Sequence, residues 1–325
     1  MIKKKALITG ISGQDGSYLA EFLLELGYEV FGLIRRLSTP ENQSTRYENI
    51  IDKIELFYGD LNDEISLYNL IDKVRPHEIY NLAAMSHVKI SFDQPAFTIK
   101  NNSLAVLTLL EAMRKYCPDS KFYQASSSEM FGNSVDEDGF QRINTPMHPV
   151  SPYGCAKLLA YNLTRHYRNA YKLHICNGIL FNHESPRRGS NFVTNKIIKT
   201  AVEIKKGKKN KLVLGNLDAK RDWGHSYDYV RAMHKILNYE APMDFIVATG
   251  TTRSVRDLCQ ITFNKLGLNY LDYVVTDEKY MRPEELKFLC GDSSEIRKVL
   301  NWSPKYTFDK MVDEMIEFWM KVLKN

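Results

Sequence analysis

Tyr153 and Lys157 are the residues of this 325-residue chain whose types and spacing most directly indicate chemistry. They stand four positions apart, and Pro152 comes just before them, where the first turn of a helix tolerates proline. Residues four apart on a helix share a face, so the phenol and the ammonium can converge. A neighbouring ammonium favours the phenolate and lowers the tyrosine pKa toward the range of a general base. The pair could then take the proton of a sugar alcohol while hydride leaves the same carbon, although a simple surface pair would show the same spacing.

A second group of reactive side chains lies upstream, in the segment Ala125–Gly132. The segment follows an apolar strand pattern, and ligands of open parallel sheets collect where the strands end. A serine hydroxyl there can hydrogen-bond the sugar oxygen that Tyr153 deprotonates. Glu129 adds a carboxylate that could remove the proton next to a new ketone, so that a β-hydroxyl is eliminated. The alternative for Glu129 is a solvated loop carboxylate without a chemical role.

A glycine-rich loop joins the first predicted strand to the first predicted helix. Gly10, Gly13 and Gly16 follow the spacing G-x-x-G-x-x-G, which permits a tight turn and a close approach of the backbone. The helix that follows presents unpaired amides at its start, and these suit a pyrophosphate. We therefore expect a dinucleotide site, with a glycine-rich turn that binds nothing as the alternative.

The end of the second predicted strand indicates which dinucleotide is bound, because Arg35 and Arg36 stand there. An acidic residue would accept a hydrogen bond from a ribose 2′-hydroxyl, whereas arginine suits a 2′-phosphate. We therefore predict NADP in preference to NAD, with solvated arginines as the alternative. Asp60 and Leu61 follow the third strand and are placed to meet the adenine. Small residues after Leu82 would let the cofactor lie against the sheet.

Strand and helix patterns alternate through the first half of the chain. The predicted strands are Lys5–Thr9, Glu29–Ile34, Ile54–Tyr58, Glu78–Leu82 and Lys121–Ser126. The predicted helices are Ser17–Leu26, Glu64–Lys73, Ser103–Tyr116 and Tyr153–Tyr171. This repetition implies an α/β fold of the Rossmann type, in which a doubly wound parallel sheet is covered by helices on both faces.

The pattern becomes irregular after Phe181, where prolines, glycines and charges cluster and the strands are short. We expect a smaller, mixed α/β C-terminal domain there. The predicted domains are residues 1–181 for NADP and residues 182–325, and a resemblance to a known family implies that the second domain binds a sugar nucleotide. The chain is expected to return to the large sheet around residues 225–250.

Composition excludes several classes of function. The net charge of +5 is mild, and the basic runs 3–5 and 205–209 lack interleaved aromatics that could stack on bases, so we expect no nucleic-acid partner. No apolar stretch approaches the length of a bilayer span or of a signal peptide, so we expect no membrane association. The five cysteines show no metal-ligand spacing, which indicates no metal site and a reducing, cytoplasmic location. Cys155, between the tyrosine and the lysine, is interpreted as a packing residue.

Several long segments together resemble one family, the GDP-mannose 4,6-dehydratases, which are extended short-chain dehydrogenase/reductases. The most specific segments are Asn177–Gly189 and Leu214–His225. The resemblance runs nearly from end to end and further includes Ala6–Tyr28, Arg35–Arg36, Tyr58–Leu61, Tyr80–Val88, Phe122–Ser126, Ser151–Lys157 and Ala248–Gly250.

The resemblance implies a nucleotide-sugar 4,6-dehydratase that holds NADP tightly and recycles it within each turnover. By this analogy Tyr153, assisted by Lys157, removes the C4 hydroxyl proton of GDP-mannose as hydride passes to NADP. Glu129 abstracts the C5 hydrogen and helps the C6 hydroxyl to depart as water, after which hydride returns to C6. The product would be GDP-4-keto-6-deoxymannose. Ser127 stands where the family has a threonine, so the hydroxyl is kept and the methyl that restricts its rotamer is lost.

The resemblance also implies which residues bind the two ligands. The expected cofactor contacts are Gly10, Ser12, Gly13, Gln14, Asp15, Arg35, Arg36, Ser38, Asp60, Leu61, Leu82, Ala84, Ser86, Lys157, His183 and Arg188. The expected substrate contacts are Ser86, Asn182, Lys196, Arg221, Arg282 and Glu285. Arginines suit a diphosphate because they bind it in a bidentate manner.

Two departures from the family leave the substrate open. Phe97 replaces a common tyrosine near the cofactor, and the stretch Leu268–Arg282 is shorter than in familiar members. A dehydratase for another GDP-sugar, such as GDP-N-acetylglucosamine or a GDP-heptose, is therefore an alternative. A hydride-only epimerase or dehydrogenase would not need Glu129, and a non-catalytic NADP-sensing module would not need the catalytic residues at all. The family also implies a homodimer or homotetramer in which Leu37–Arg46 reaches a neighbour's cofactor.

Overall fold

The computed structural model describes residues 3–36 and 46–323. The strands are β1 Lys5–Thr9, β2 Glu29–Ile34, β3 Ile54–Tyr58, β4 Glu78–Asn81, β5 Lys121–Ser127, β6 His174–Leu180, β7 Asn182–Glu184, β8 Leu212–Leu214, β9 Lys220–His225, β10 Phe245–Val247, β11 Thr252–Ser254 and β12 Val274–Thr276. The helices are α1 Gln14–Glu25, α2 Glu64–Val74, α3 Val88–Asp93, α4 Pro95–Ile99, α5 Ala105–Tyr116, α6 Pro152–Tyr171, α7 Val193–Lys205, α8 Ser226–Leu237, α9 Val255–Lys265, α10 Ser294–Leu300 and α11 Phe308–Val322.

Seven strands form one sheet in the order β3-β2-β1-β4-β5-β6-β10, and every pairing in it is parallel. The order reverses between β1 and β4, where Thr9 pairs with both Leu33 and Asn81. At such a reversal the loops that leave the two strands diverge and open a crevice at the carboxyl ends. The predicted doubly wound parallel sheet is therefore confirmed.

Each face of this sheet carries its own apolar core, because successive side chains of a strand point to opposite faces. On β1, Ile8 packs into the core that includes Leu23 of α1 and Met233 of α8. Leu7 packs into the other core, which includes Leu109 of α5. Helices therefore cover both faces of the sheet, as the alternation of patterns predicts.

A third core lies in the C-terminal part of the chain, where α7, α9 and α11 pack around β8 and β9. The smaller sheets there join β11 to β9 and β7, and β12 to β8. Between β9 and β11 the chain returns to the large sheet, where Phe245 of β10 pairs with Gly178 of β6. Trp302, near the end of the chain, packs in the core of α1 and α8. The predicted domain boundaries remain a prediction.

Some elements differ from what the sequence indicates. The helix expected from Ser103 is the last part of an interrupted helical run that begins at Val88 and contains a π-turn at Lys100–Leu104. The interpretation of Cys155 as a packing residue is wrong, because that side chain is exposed on α6. Within residues 3–36 and 46–323, no helix combines the length and the apolar character that a membrane crossing requires.

Candidate active site

A cavity of about 1380 Å³ lies at the carboxyl ends of the central strands and extends to α7 and β8 of the smaller part. The sequence-predicted residues that line it are Gly10, Ser12, Gly13, Gln14, Asp15, Arg35, Arg36, Leu61, Leu82, Ala84, Ser86, Ser127, Glu129, Tyr153, Lys157, Asn182, His183, Arg188, Lys196, Arg221, Arg282 and Glu285. The fold therefore brings almost all of the predicted site residues to one cavity, although they come from distant parts of the chain.

The glycine loop at one end of this cavity has the shape that a phosphate group needs. Gly10 has a φ of 73°, and a Cβ added to it would lie 2.8 Å from the backbone of Ala83. A Cβ on Gly16 would lie 2.2 Å from the carbonyl oxygen of Gly10. Helix α1 starts at Gln14 with Gly13 as its N-cap, and within the described part of the chain no side chain caps it. The free amides at this helix start fit the pyrophosphate of a dinucleotide.

Arg35 and Arg36 line the same cavity just beyond β2, where a 2′-phosphate would be recognised. Arg46, the last residue of the segment expected to reach a neighbour's cofactor, donates from Nη1 to the carbonyl of Ser12 of its own chain at 3.1 Å. Asp60 does not line the cavity, and its carboxylate accepts hydrogen bonds from Asn62. Two further predictions fall outside the described residues, namely Ser38 and most of the segment Leu37–Arg46. The assignment of Arg35, Arg36, Ser38 and Asp60 to the cofactor, and of Leu37–Arg46 to a neighbour's cofactor, remains a prediction.

A buried ion pair ties the glycine loop to β7. Asp15 Oδ2 lies 2.7 Å from Nε2 of His183, and Asp15 Oδ1 accepts from the Ser226 hydroxyl at 2.6 Å. Burial raises the pKa of Asp15, but the charge of His183 and the hydrogen bonds from both partners outweigh it and bring the pKa to about 2. Burial lowers the pKa of His183, whereas the Asp15 carboxylate raises it by more. These two predicted cofactor contacts therefore hold each other in a fixed position in the cavity wall.

Helix α6 carries Tyr153 and Lys157 into the cavity. Its N-cap is Ser151, whose hydroxyl accepts from the Gly154 amide at 3.0 Å, and Pro152 occupies the first turn as predicted. The tyrosine and the lysine share one face of the helix, and both are buried. Lys157 Nζ lies 5.8 Å from the centre of the tyrosine ring and donates to the Ala125 carbonyl of β5 at 2.8 Å. The lysine is thereby held against the end of the strand that bears the other reactive residues.

The expected lowering of the tyrosine pKa by the lysine is not what the structure shows. Burial raises the pKa of Tyr153 to about 12, and a hydrogen bond with the Ser127 hydroxyl opposes this only in part. The neighbouring charge of Glu129 also raises the tyrosine pKa. The expected lowering of the tyrosine pKa was therefore wrong. Removal of the phenol from water disfavours the phenolate by more than its favourable interactions stabilise it.

Replacement of Lys157 by methionine should change how stability depends on pH. Burial lowers the pKa of Lys157 from 10.5 to about 8, so the folded protein binds fewer protons than the unfolded chain between these values. The buried ammonium therefore destabilises the fold by about 3 kcal/mol below pH 8, and this penalty disappears as the pH rises toward 10.5. The free energy of unfolding of K157M relative to the wild type should thus fall by about 3 kcal/mol across that window.

This difference can be measured by urea unfolding of both proteins at several pH values. The expected pattern is a relative advantage of K157M that is largest below pH 8. A difference between the two proteins that stays constant from pH 7 to pH 10.5 would contradict the burial of a charged lysine.

Glu129 lies in a single turn of 3-10 helix, Ser128–Phe131, directly after β5. The Ser127 hydroxyl accepts from the Glu129 amide at 3.2 Å and fixes the start of this turn. The glutamate is buried, and its two carboxylate oxygens lie 3.1 and 3.4 Å from Nη1 of Arg282. Arg221 is also buried nearby, and burial lowers its pKa to about 10 while the Glu129 charge opposes that shift. The carboxylate is thus not the solvated loop residue of the alternative interpretation.

Sequence reasoning missed several residues that line the cavity. Lys89 of α3 and Tyr280 are the clearest, since Nζ of Lys89 lies 5.4 Å from the ring centre of Tyr280. Nζ of Lys196 lies 4.1 Å from the same ring. Phe192 is a third, with the Arg188 guanidinium carbon 3.7 Å from its ring centre. Lys89 directly follows the family-like segment Tyr80–Val88, so its place in the sequence could have identified it as a site residue. Tyr280 and Phe192 stand in segments without a regular pattern, which gave no such indication.

Comparisons with known proteins identify the family of this chain. A family model described as GDP-mannose 4,6 dehydratase matches residues 7–315. The chain is 47% identical over 332 residues to GDP-mannose 4,6 dehydratase 1 of Arabidopsis thaliana, covering 99% of this chain and 91% of that protein. It is 46% identical over 345 residues to GDP-mannose 4,6 dehydratase of Homo sapiens, covering 98% of this chain and 92% of that protein.

Solved structures show the same fold at lower identity. UDP-glucose 4-epimerase of Thermotoga maritima, crystallised with UDP-glucose, superposes with a TM-score of 0.86 at 25% identity, covering 98% of this chain and all of that one (100%). The dTDP-glucose 4,6-dehydratase of Bacillus anthracis, in complex with NAD, has a TM-score of 0.84 at 23% identity and covers 98% of this chain and 97% of that one. The family model and the close relatives go further than the fold: this chain belongs to the GDP-mannose 4,6-dehydratase family.

Proposed function

We propose that this chain catalyses the 4,6-dehydration of GDP-mannose with NADP as its cofactor. The observation that carries the proposal is that Tyr153, Lys157 and Glu129 line one cavity together with the glycine loop, in a member of this family. A hydride-only epimerase or dehydrogenase would not need a buried carboxylate beside the tyrosine. A non-catalytic NADP-sensing module would need none of the three residues.

GDP-mannose is favoured over other GDP-sugars as the substrate. Phe97 and the short stretch Leu268–Arg282 left GDP-N-acetylglucosamine and GDP-heptose as alternatives. Phe97 does line the cavity, with 38% of its surface exposed. Relatives named GDP-mannose 4,6 dehydratase nevertheless span almost the whole chain at 46–47% identity, which supports GDP-mannose.

In this function the chain holds the substrate by its central diphosphate and by the polar groups of its nucleoside and hexose. Arg221, Arg282 and Lys196 line the cavity and can neutralise a diphosphate, while Asn182 and Glu285 offer polar groups to the nucleoside or the hexose. When bound, NADP supplies a nicotinamide that accepts hydride from C4 of the hexose and returns it at C6. The cavity holds the sugar between the glycine loop and Glu129. This positioning of the reacting groups contributes much of the rate enhancement.

The protons are moved by side chains of β5, its following turn and α6. The Tyr153 oxygen takes the C4 hydroxyl proton, and the Ser127 hydroxyl, which is hydrogen-bonded to that phenol, orients the same sugar oxygen. Lys157 places a positive charge on the same face of α6, 5.8 Å from the centre of the tyrosine ring, and is held there by the Ala125 carbonyl. Glu129 takes the C5 proton, which the C4 ketone makes acidic, and the C6 hydroxyl leaves with a proton from the same carboxyl group.

NADP is preferred over NAD because Arg35 and Arg36 follow β2 at the cavity wall and suit a 2′-phosphate. The free amides at the start of α1 and the space above Gly10 and Gly16 support a dinucleotide at this end. We also propose a cytoplasmic homodimer or homotetramer, on the strength of the family resemblance.

The proposed reaction can be tested with a panel of GDP-sugars analysed by mass spectrometry. GDP-mannose should yield a product that is lighter by one water, and heat-released nucleotide from the purified protein should be NADP(H) and not NAD(H). A product of unchanged mass would indicate an epimerase and contradict the proposal. Dehydration of GDP-N-acetylglucosamine in preference to GDP-mannose would support the alternative substrate.

A further inference from the structure

The base assigned to the elimination step is held by a cation in this structure. Both carboxylate oxygens of Glu129 face a single guanidinium nitrogen, Nη1 of Arg282, at 3.1 and 3.4 Å. The two residues are 153 positions apart in the chain, so the contact exists only in the folded protein. The Glu129 side chain is buried whereas that of Arg282 is 24% exposed, so the arginine is the more accessible partner of the pair.

This contact restrains the carboxylate. A charge-assisted hydrogen bond of this kind is roughly twice as strong as a neutral one and fixes the orientation of the acceptor. A carboxylate that points both of its oxygens at a guanidinium has less freedom to approach the C5 hydrogen of a hexose. The base must therefore exchange this partner, at least in part, before it can take a proton.

Arg282 is placed on a segment that can adjust. Arg282 lies outside the helices and strands, two residues after a short turn of 3-10 helix, Glu278–Tyr280. Its backbone amide donates to the Glu285 carboxylate at 2.9 Å, so the backbone of the segment is anchored independently of the guanidinium. The side chain can consequently change partners while the backbone keeps its place.

The surroundings of Arg282 suit a ligand with two negative charges. Arg221, Lys196 and Lys89 line the cavity with it, and Glu129 and Glu285 are the carboxylates near them. Positive charges therefore outnumber negative ones within this group of residues. Arg282 contributes to the lowering of the Arg221 pKa, and Lys89 contributes to the lowering of the Lys196 pKa, after burial in both cases. A diphosphate would relieve this repulsion and offer guanidinium groups a bidentate partner.

We propose that the Glu129 carboxylate and the diphosphate of the nucleotide sugar compete for the Arg282 guanidinium, so that substrate binding frees the base. The inference rests on the proposed function, since it concerns the same substrate and the same base. Arg282 thereby acts as a positioning residue that couples occupancy of the diphosphate site to the availability of Glu129. Because such coupling is reciprocal, loss of the carboxylate must strengthen diphosphate binding.

GDP is a suitable probe because it carries the diphosphate and undergoes no reaction. Its affinity can be measured by isothermal titration calorimetry on the protein with its cofactor retained. E129Q is expected to bind GDP about tenfold more tightly than the wild type, which is the scale of one hydrogen bond to a charged group. R282Q should bind GDP about tenfold more weakly, because the diphosphate loses that cation.

The double variant E129Q/R282Q separates competition from simple charge repulsion. Under competition its GDP affinity should equal that of R282Q within about twofold, since no guanidinium remains to be released. The same gain from E129Q in both backgrounds would show that the carboxylate only repels the ligand, and would overturn the proposal. An E129Q affinity equal to or weaker than that of the wild type would overturn it as well.

Two controls keep these results interpretable. Thermal melting and the amount of retained cofactor report whether each variant is folded, and R282K tests the shape of the cation because it keeps the charge and loses the planar fork. R282K should bind GDP with an affinity between those of R282Q and the wild type. Failure of the proposed function would appear separately, as a wild-type protein that binds GDP but forms no lighter product from GDP-mannose.

Discussion

Y153F should lower the rate of product formation from GDP-mannose by about 10²- to 10⁴-fold, which is the usual contribution of a positioned acid or base. The change removes one hydroxyl from a buried ring and leaves the packing of α6 intact. Because the first proton transfer then has no acceptor, the hexose should remain chemically unchanged. Quenched single-turnover samples analysed by mass spectrometry should contain GDP-mannose of the original mass.

Y123F provides a matched control for this variant. Tyr123 of β5 is also fully buried, and among the described residues its hydroxyl makes no hydrogen bond. Its ring packs in the core on one face of the sheet and does not line the cavity. Y123F should therefore keep the wild-type rate within about twofold, because the hydroxyl that it removes faces no ligand. Equal activity of Y153F and Y123F would remove Tyr153 from the mechanism.

E129Q should also reduce formation of the dehydrated product by about 10²- to 10⁴-fold, but it should stop the reaction at a later stage. Tyr153 and Lys157 remain in place, so oxidation at C4 can still occur. The C5 proton then has no acceptor, because an amide is not a base at neutral pH. Single-turnover samples should contain a GDP-sugar that is lighter by two hydrogens and has retained its C6 hydroxyl, an intermediate that Y153F cannot form.

E78Q is the corresponding control, because it makes the same change in a buried glutamate at the opposite end of the sheet. Glu78 accepts hydrogen bonds from the hydroxyls of Tyr28 and Tyr80 at 2.9 and 2.7 Å. E78Q should lower the free energy of unfolding by about 1–3 kcal/mol, since it leaves buried hydrogen bonds weakened, and it should keep normal turnover. A dehydrated product formed by E129Q at the wild-type rate would show that another group takes the C5 proton.

The two substitutions together distinguish the roles of the two acid–base groups. Loss of all chemistry in one variant and arrest after C4 oxidation in the other would place Tyr153 before Glu129 in the reaction sequence. This order follows from chemistry, because the C5 hydrogen becomes acidic only when C4 carries a ketone.

The local sequence alone was sufficient for the first five strands, whose predicted bounds differ from the structure by at most one residue. Each is a short apolar run that ends at residues typical of turns, so its secondary structure can be predicted from its own residues. The glycine loop and the pair on α6 were predictable for the same reason. Their chemistry depends on spacings within a single turn or a single helix.

Strand β6 was not predicted, although it lies inside the sheet, between β5 and β10. Its polar Asn177 and its Gly178 interrupt the apolar pattern, and both have tertiary reasons. A Cβ on Gly178 would lie 2.0 Å from the Tyr123 hydroxyl, so the neighbouring ring of β5 requires glycine there. The Asn177 side chain donates to Asp244 at 2.9 Å, just before β10. Neither requirement is visible in the residues of β6 themselves.

The alternation of strands and helices, the glycine loop and the Tyr153–Lys157 pair can be predicted from the sequence, because they depend on residues close together in the chain. The burial of Glu129, its pairing with Arg282 and the raised tyrosine pKa are visible only in the folded structure. Contacts between residues 153 positions apart, and the loss of water around a side chain, arise from how elements pack. No local sequence pattern predicts these contacts or this loss of water, since the same residues would be solvated in the unfolded chain.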